Sequence, residues 1–250
     1  MTRIASHRGG TLEFGDSTPQ GFRATARMPV DEVEFDVHPT SDGAIMVHHD
    51  ATLDRTTDRS GAIAALTEAE VRAATIDYGA GGHPLSLAEL VAIFRDSPVD
   101  LRCEIKPGED GRPYPDFIPR VIETIRQGGM LERTTFSSFL LQSLEALRAA
   151  TDRPVLWLVS PVLLRLLGIA AVTELALSRG IPELGFNIDD ADADLMQAVR
   201  GKGLDFGCWA AHSAEQINKA FDLGAKVFTT DRPSLALATR QARQSPEAAQ

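Results

Sequence analysis

The 250-residue chain is short of cations, cysteine and aromatic side chains. Lys and Arg total 25 against 35 Asp and Glu, giving a formal net charge of -10 and a pI near 5.1, and no basic cluster appears along the sequence. Binding a nucleic-acid backbone relies on clustered Lys and Arg that release counterions, so a nucleic-acid partner is excluded as an expectation. Cysteine occurs twice, at Cys103 and Cys208, each inside an apolar run, the usual setting of a small buried thiol rather than of a disulfide or a zinc site. No apolar stretch of signal-peptide length opens the chain, and a cytoplasmic location is the expectation. The most apolar segment, Val155 to Leu177, is interrupted by Arg165 and Glu174 and divided by Pro161 and Gly168. It reads as a buried strand plus a barrel helix rather than as a stable membrane insertion, with the 161–177 helix as a surface for self-association into a homo-oligomer.

What the chain does have is core-forming capacity, with 43% hydrophobic and 24% charged residues. Short β-rich runs alternate with longer helix-patterned stretches throughout, the pattern of repeated βα units around a parallel sheet. The barrel strands are read at Arg3 to His7, Val33 to Val37, Leu101 to Ile105, Thr134 to Ser138, Val155 to Val159, Leu184 to Ile188, Asp205 to Trp209 and Val227 to Thr230. Helix starts carry caps at Thr18 before Pro19, Thr67 with Glu70, and Ser86 with Glu89. The expectation is an α/β TIM (β/α)8 barrel over residues 1–240, with a fraying polar tail at 241–250.

A further strand-like run, Ile45 to His48, follows the second strand after only Pro39-Thr40-Ser41-Asp42-Gly43, too short for a parallel crossover. Asp42-Gly43 therefore marks a hairpin, expected to lay Val37 near Met46 and to return His49 to the level of Glu34. Residues 50–84 then read as an insertion over the barrel mouth, with one capped helix from Glu68 to Ala74.

In a parallel barrel alternate residues point toward the axis, and chemistry gathers at the C-terminal strand ends. That parity turns Glu34 and Asp36 inward together, and Glu104 with Lys106, while His7 ends the first strand. Three converging carboxylates repel one another and raise their own pKa values unless something positive lies between them. A divalent cation answers this, and all-oxygen ligation favours Mg2+ or Ca2+, with Mn2+ as a further option. The alternative is an ion-pair network with Arg8 and Lys106 and no metal.

These residues stand in blocks that resemble the glycerophosphodiester phosphodiesterases. His7-Arg8-Gly9-Gly10 resembles the family's opening HRG motif, Glu34-Phe35-Asp36 its E-x-D strand, and Glu104-Ile105-Lys106 its E-x-K strand. His49-Asp50 followed by Thr52-Leu53-Asp54-Arg55-Thr56-Thr57 resembles its HD-x-T-L-D-R-T-T block, and Thr230-Asp231-Arg232-Pro233 its closing T-D-x-P. The resemblance implies that Glu34, Asp36 and Glu104 are metal ligands, that His7 and His49 are the acid/base pair, and that Arg8 and Lys106 contact phosphate. It implies that Trp209 packs against the glycerol moiety, and it leaves His48 structural.

The implied reaction is metal-dependent hydrolysis of a small-molecule glycerophosphodiester to glycerol 3-phosphate and an alcohol. A sugar phosphodiester or a lysophospholipid head group is the alternative substrate, and a non-catalytic phosphoester-binding barrel the alternative class. Two departures from the family bear on the alcohol: Asp16 where a Glu is usual, and Trp209-Ala210-Ala211-His212 where W-T-V-N is common. Both are expected to lie where the alcohol parts of the substrate sit.

Overall fold

The structure is a computed structural model and describes residues 1–244. Its strands are β1 (Arg3–His7), β2 (Glu32–Pro39), β3 (Ile45–Val47), β4 (Asp100–Ile105), β5 (Thr134–Ser138), β6 (Val155–Val159), β7 (Glu183–Asn187), β8 (Asp205–Trp209) and β9 (Val227–Thr230). All but β3 form a parallel ring in the order β1-β9-β8-β7-β6-β5-β4-β2, closed by pairing of β1 with β2. With helices between successive strands, this is the expected TIM barrel. Closure leaves the eight-stranded ring without an edge, and the outward residues of its strands, Phe35, Phe136, Trp157, Phe186 and Phe206 among them, are fully buried under the helices. Truncating one such aromatic to Ala costs about 3–5 kcal/mol in a packed core.

The local signals in the sequence act as read. Thr18 accepts from Gly21 N ahead of the Pro19–Thr25 helix, and complete capping boxes start the helices at Glu68–Arg72 and Leu87–Phe94. Residues 51–84 carry a small core of their own, Leu53, Ile63, Val71 and Ala74 with Met46 of β3. Gly79 seats this segment on the loop after β1: a Cβ there would lie 2.3 Å from the Gly15 Cα, so no other residue fits.

Three expectations change. The hairpin pairs Val37 with Val47 and His38 with Met46, one residue away from the expected Val37–Met46 register. The turn closes with Thr40 N on Ala44 O and places Gly43 at φ 96°, so the loop, Ser41-Asp42-Gly43, is one residue longer than the expected register allows. The Pro161–Ser178 helix is not buried along its length. Gly168, at φ 73° and ψ 159°, breaks it; the second half buries Val172, Thr173 and Ala176, whereas the first half buries no residue fully, with Leu163 and Leu164 half-buried against the core and Val162 and Leu166 60% and 76% exposed. At the C-terminus the Pro233–Gln244 helix runs through the first residues of the expected tail, and 245–250 lie outside the described residues.

Candidate active site

The C-terminal strand ends surround a cavity of about 250 Å3 lined by His7, Arg8, Glu34, His49, Glu104 and Lys106 on one side and by Phe139, Trp209 and the barrel interior on the other. Strand parity delivers the polar set. Asp36 pairs with Glu104 across β2 and β4, and Glu34 stands two residues earlier on the same inward face. The three carboxylates are buried, with one oxygen from each within 4.8 Å of the others.

Two cations reach this cluster. Lys106 Nζ lies 2.9 Å from Glu104 Oε1 and 3.2 Å from Asp36 Oδ1, and Arg8 Nε lies 3.2 Å from Asp36 Oδ2. These ion pairs meet the carboxylates at angles that leave Asp36 Oδ1 and Oδ2, Glu104 Oε1 and Glu34 Oε2 without a hydrogen bond among the described residues. Two cations against three carboxylates is also a charge deficit, and it falls on Glu34. Burial and the neighbouring Asp36 and Glu104 charges push Glu34 well above the usual carboxylate range. Burial pushes Glu104 to about 7, against the pull of Lys106. Asp36 is buried too, yet Lys106, His49 and Arg8 hold it below the usual range. Orphaned, electron-rich oxygens at mutual ligand distance fit a hard divalent cation, whose charge would offset the deficit. The ion-pair network is thus present, and it is incomplete without further positive charge.

Each histidine at the cavity is held through Nδ1 by a carboxylate. His7 Nδ1 lies 2.5 Å from Asp231 Oδ1, with His7 Nε2 3.7 Å from Glu34 Oε2. His49 Nδ1 lies 2.5 Å from Asp50 Oδ1. A carboxylate on Nδ1 fixes the tautomer, leaving Nε2 as the nitrogen available to the cavity. His48 points elsewhere: Nδ1 donates to Asp50 O at 2.9 Å and Nε2 accepts from Thr56 Oγ1 at 3.1 Å, in a buried structural role. Phe139 and Trp209 meet edge to face at 5.6 Å and form an apolar wall beside Lys106.

Sequence reading missed the residues that hold the site together. Asp50 and Asp231 stand inside the motifs, Asp50 next to His49, and nothing in the one-dimensional pattern shows which side chain each would meet. Arg55 donates to Asp50 Oδ2 through Nε at 2.5 Å and to Asp16 Oδ2 through Nη2 at 3.0 Å, and Arg8 Nη1 donates to that same Asp16 oxygen at 3.0 Å. Asp16 is therefore an anchor for two arginines and does not itself line the cavity. His212 is likewise anchored, its Nδ1 accepting from Asp231 N at 3.0 Å, with its ring 5.9 Å from that of His7. Phe139 was missed because the residue after a strand end has no periodicity to mark it.

The sequence signature of the Glycerophosphoryl diester phosphodiesterase family matches residues 7–235. The chain belongs to that family. The chain is 26% identical over 240 residues to the "Glycerophosphodiester phosphodiesterase" of Caldanaerobacter subterraneus subsp. tengcongensis, covering 93% of this chain and 95% of that one. It is 63% identical to a crystal structure from Agrobacterium tumefaciens str. C58, provisionally named a glycerophosphoryl diester phosphodiesterase, with a TM-score of 0.96 over 98% of this chain and 100% of the other. An Oleispira antarctica phosphodiesterase, solved in complex with the product sn-glycerol-3-phosphate, shares the fold at a TM-score of 0.81 and 18% identity, over 96% and 97% of the two chains.

Proposed function

We propose that the protein hydrolyses a glycerophosphodiester to glycerol 3-phosphate and an alcohol, with Glu34, Asp36 and Glu104 holding one divalent cation and His7 and His49 exchanging the proton. The observation that carries this reading is the pairing of two carboxylate-held histidines with a buried, charge-deficient carboxylate trio in one cavity. A phosphodiester anion resists attack until its charge is offset, and a bound Mg2+ or Ca2+ would supply Lewis acidity toward the phosphoryl oxygens. Arg8 and Lys106 add fixed positive charge beside that position. One histidine takes a proton from the attacking oxygen, of water or of a neighbouring glycerol hydroxyl, a P–O bond forms to that oxygen as the P–O bond to the alcohol breaks, and the other histidine delivers a proton to the departing alkoxide; on the hydroxyl route water then opens the cyclic phosphate to glycerol 3-phosphate with the two roles exchanged. Phe139 and Trp209 offer an apolar surface to the carbon skeleton of the alcohol.

Assay of a panel of diesters, including glycerophosphocholine, sugar phosphodiesters and a lysophospholipid, with Mg2+, with Ca2+ and with excess chelator tests the proposal. Metal-dependent release of glycerol 3-phosphate is the expected result. Full activity in chelator defeats the metal assignment, and no turnover of any diester supports the non-catalytic barrel instead, a reading that the presence of both histidines and all three carboxylates disfavours. Along the 161–177 helix Val162, Leu166, Leu167 and Leu177 are exposed, and nothing beyond that exposure supports self-association through it.

A further inference from the structure

Glu34 and Asp36 share their strand parity with His38, the next such residue along β2, which is 1% exposed and has no part in the chemistry above. Its ring is bonded at both nitrogens. Nε2 lies 3.1 Å from His49 O, and Nδ1 lies 2.9 Å from Tyr114 Oη. A carbonyl only accepts, so Nε2 carries hydrogen and donates to it, which in the neutral ring leaves Nδ1 to accept from the Tyr114 hydroxyl. The tyrosine thus fixes the tautomer that holds the His49 carbonyl.

His49 needs that bond because it stands past the end of its strand. The β2–β3 register runs out at Val37 and Val47, followed by His48 N donating to Asp36 O at 3.1 Å, and the chain then leaves the ladder for the insertion. A half-buried carbonyl beyond the ladder takes its donor from elsewhere. The Tyr114 end is fixed by packing. Its ring meets that of the buried Phe117 edge to face at 5.5 Å and that of His38 at 5.8 Å, and a methyl on Gly108 would stand 3.2 Å from it. His38, His49, Lys106, Pro107 and Gly108 line one cleft beside the main cavity, so the loop after β4 and the end of the hairpin are joined through this chain of bonds.

We propose that His38 and Tyr114 are positioning residues for His49: the Tyr114 hydroxyl sets the His38 tautomer, and His38 Nε2–H pins the His49 backbone so that its ring stays on the cavity wall beside the carboxylate trio. This rests on the assignment of His49 as a proton-transfer group above. The bond complements the Asp50 contact. Asp50 Oδ1 sets the rotation of the ring through Nδ1, whereas His38 sets where the backbone of the residue stands. Neither His38 nor Tyr114 lines the main cavity, so their effect on turnover passes through His49.

Steady-state kinetics on His38→Leu, His38→Gln and Tyr114→Phe, each also in a His49→Ala background, test the assignment. A misplacement of ~1 Å can cost ~100-fold in rate, and His38→Leu, which removes the donor, is expected to lower kcat about ten-fold with KM held within about two-fold. His38→Gln puts an amide N–H where Nε2 stands and is expected to recover at least about a third of the wild-type kcat. Tyr114→Phe keeps the ring packed on Phe117 and loses one hydroxyl; it is expected to lower kcat about three-fold alone and to do nothing beside His38→Gln, whose amide has no tautomer to fix. None of the three should lower kcat further once His49 is Ala, a coupling that a merely structural role does not produce. Equal losses in the His49→Ala and wild-type backgrounds, a defect in His38→Gln as deep as in His38→Leu, or wild-type kcat in both His38→Leu and Tyr114→Phe each overturns the proposal. The two layers separate on His49→Ala itself: if it turns over like the wild type, the proton-transfer assignment fails and the positioning role with it, whereas a silenced His49→Ala beside a fully active His38→Leu removes the positioning role alone.

Discussion

Asp50 Oδ2 accepts from Arg55 Nε at 2.5 Å, while the other oxygen of the same carboxylate holds the Nδ1 of His49. Arg55 also reaches Asp16, and through it Arg8, so one arginine ties the hairpin histidine to the loop after β1. Asp50 is held at about 2, because Arg55 and His49 outweigh its partial burial. Removing Arg55 frees one end of this tie. Arg55→Ala should lower kcat by about ten-fold, less than loss of a proton-transfer group itself, and Arg55→Lys should not restore it, because an ammonium cannot span both carboxylates as a guanidinium fork does. Steady-state kinetics on both variants check this, and wild-type kcat in Arg55→Ala would show that Asp50 orients His49 unaided.

His7→Ala and His49→Ala should each lower kcat by at least ~100-fold with metal affinity largely kept. His48→Ala, which removes a buried link between Asp50 O and Thr56, should act on stability rather than on turnover. Kinetics and thermal melts on the three variants separate these effects. A silenced His48→Ala that melts like the wild type would move the proton-transfer assignment by one residue.

Metal binding should depend on pH through the carboxylates. Glu34→Gln, Asp36→Asn and Glu104→Gln are each expected to weaken it greatly. Without an ion, Glu104 titrates at about 7 in the folded chain, above its unfolded value, so its contribution to stability is full below the ordinary glutamate pKa and is lost as pH rises through about 7. A bound cation requires the ionised form and reverses that loss. The rise in Tm on adding Mg2+ or Ca2+ should therefore be larger at pH 7.5 than at pH 5.5. Equal shifts at both values would place the ion elsewhere.

His212→Asn should change the relative rates among diesters, since the ring stands beside His7 and is fixed by Asp231. Restoring Thr at Ala210 is a poorer experiment than the sequence suggests. Ala210 has φ 64°, a region costly for a β-branched residue, so Ala210→Thr should lower Tm whatever it does to specificity. A ranking of diesters unchanged by His212→Asn would remove this strand end from the substrate contacts.

The site ligands were legible because strand parity is a one-dimensional rule. Glu34 and Asp36, or Glu104 and Lys106, share a face of a strand whatever the rest of the chain does. The hairpin was legible for the same reason, from a short turn with Asp42-Gly43, although its register was not: closure at Thr40 and Ala44 depends on hydrogen bonds that the turn sequence does not specify.

By itself, then, the sequence determined the alternation of strands and helices, the capped helix starts and the inward carboxylates, because propensity, capping and parity act within a few residues. Tertiary structure decided the rest. Asp231 lies 224 positions from His7 and meets its ring, and Arg55 lies 39 positions from Asp16, because closing the barrel brings distant strand ends and loops to one rim. Gly79 docking the insertion on the loop after β1 is likewise settled by what packs around it, since a glycine carries no side chain to announce its neighbours.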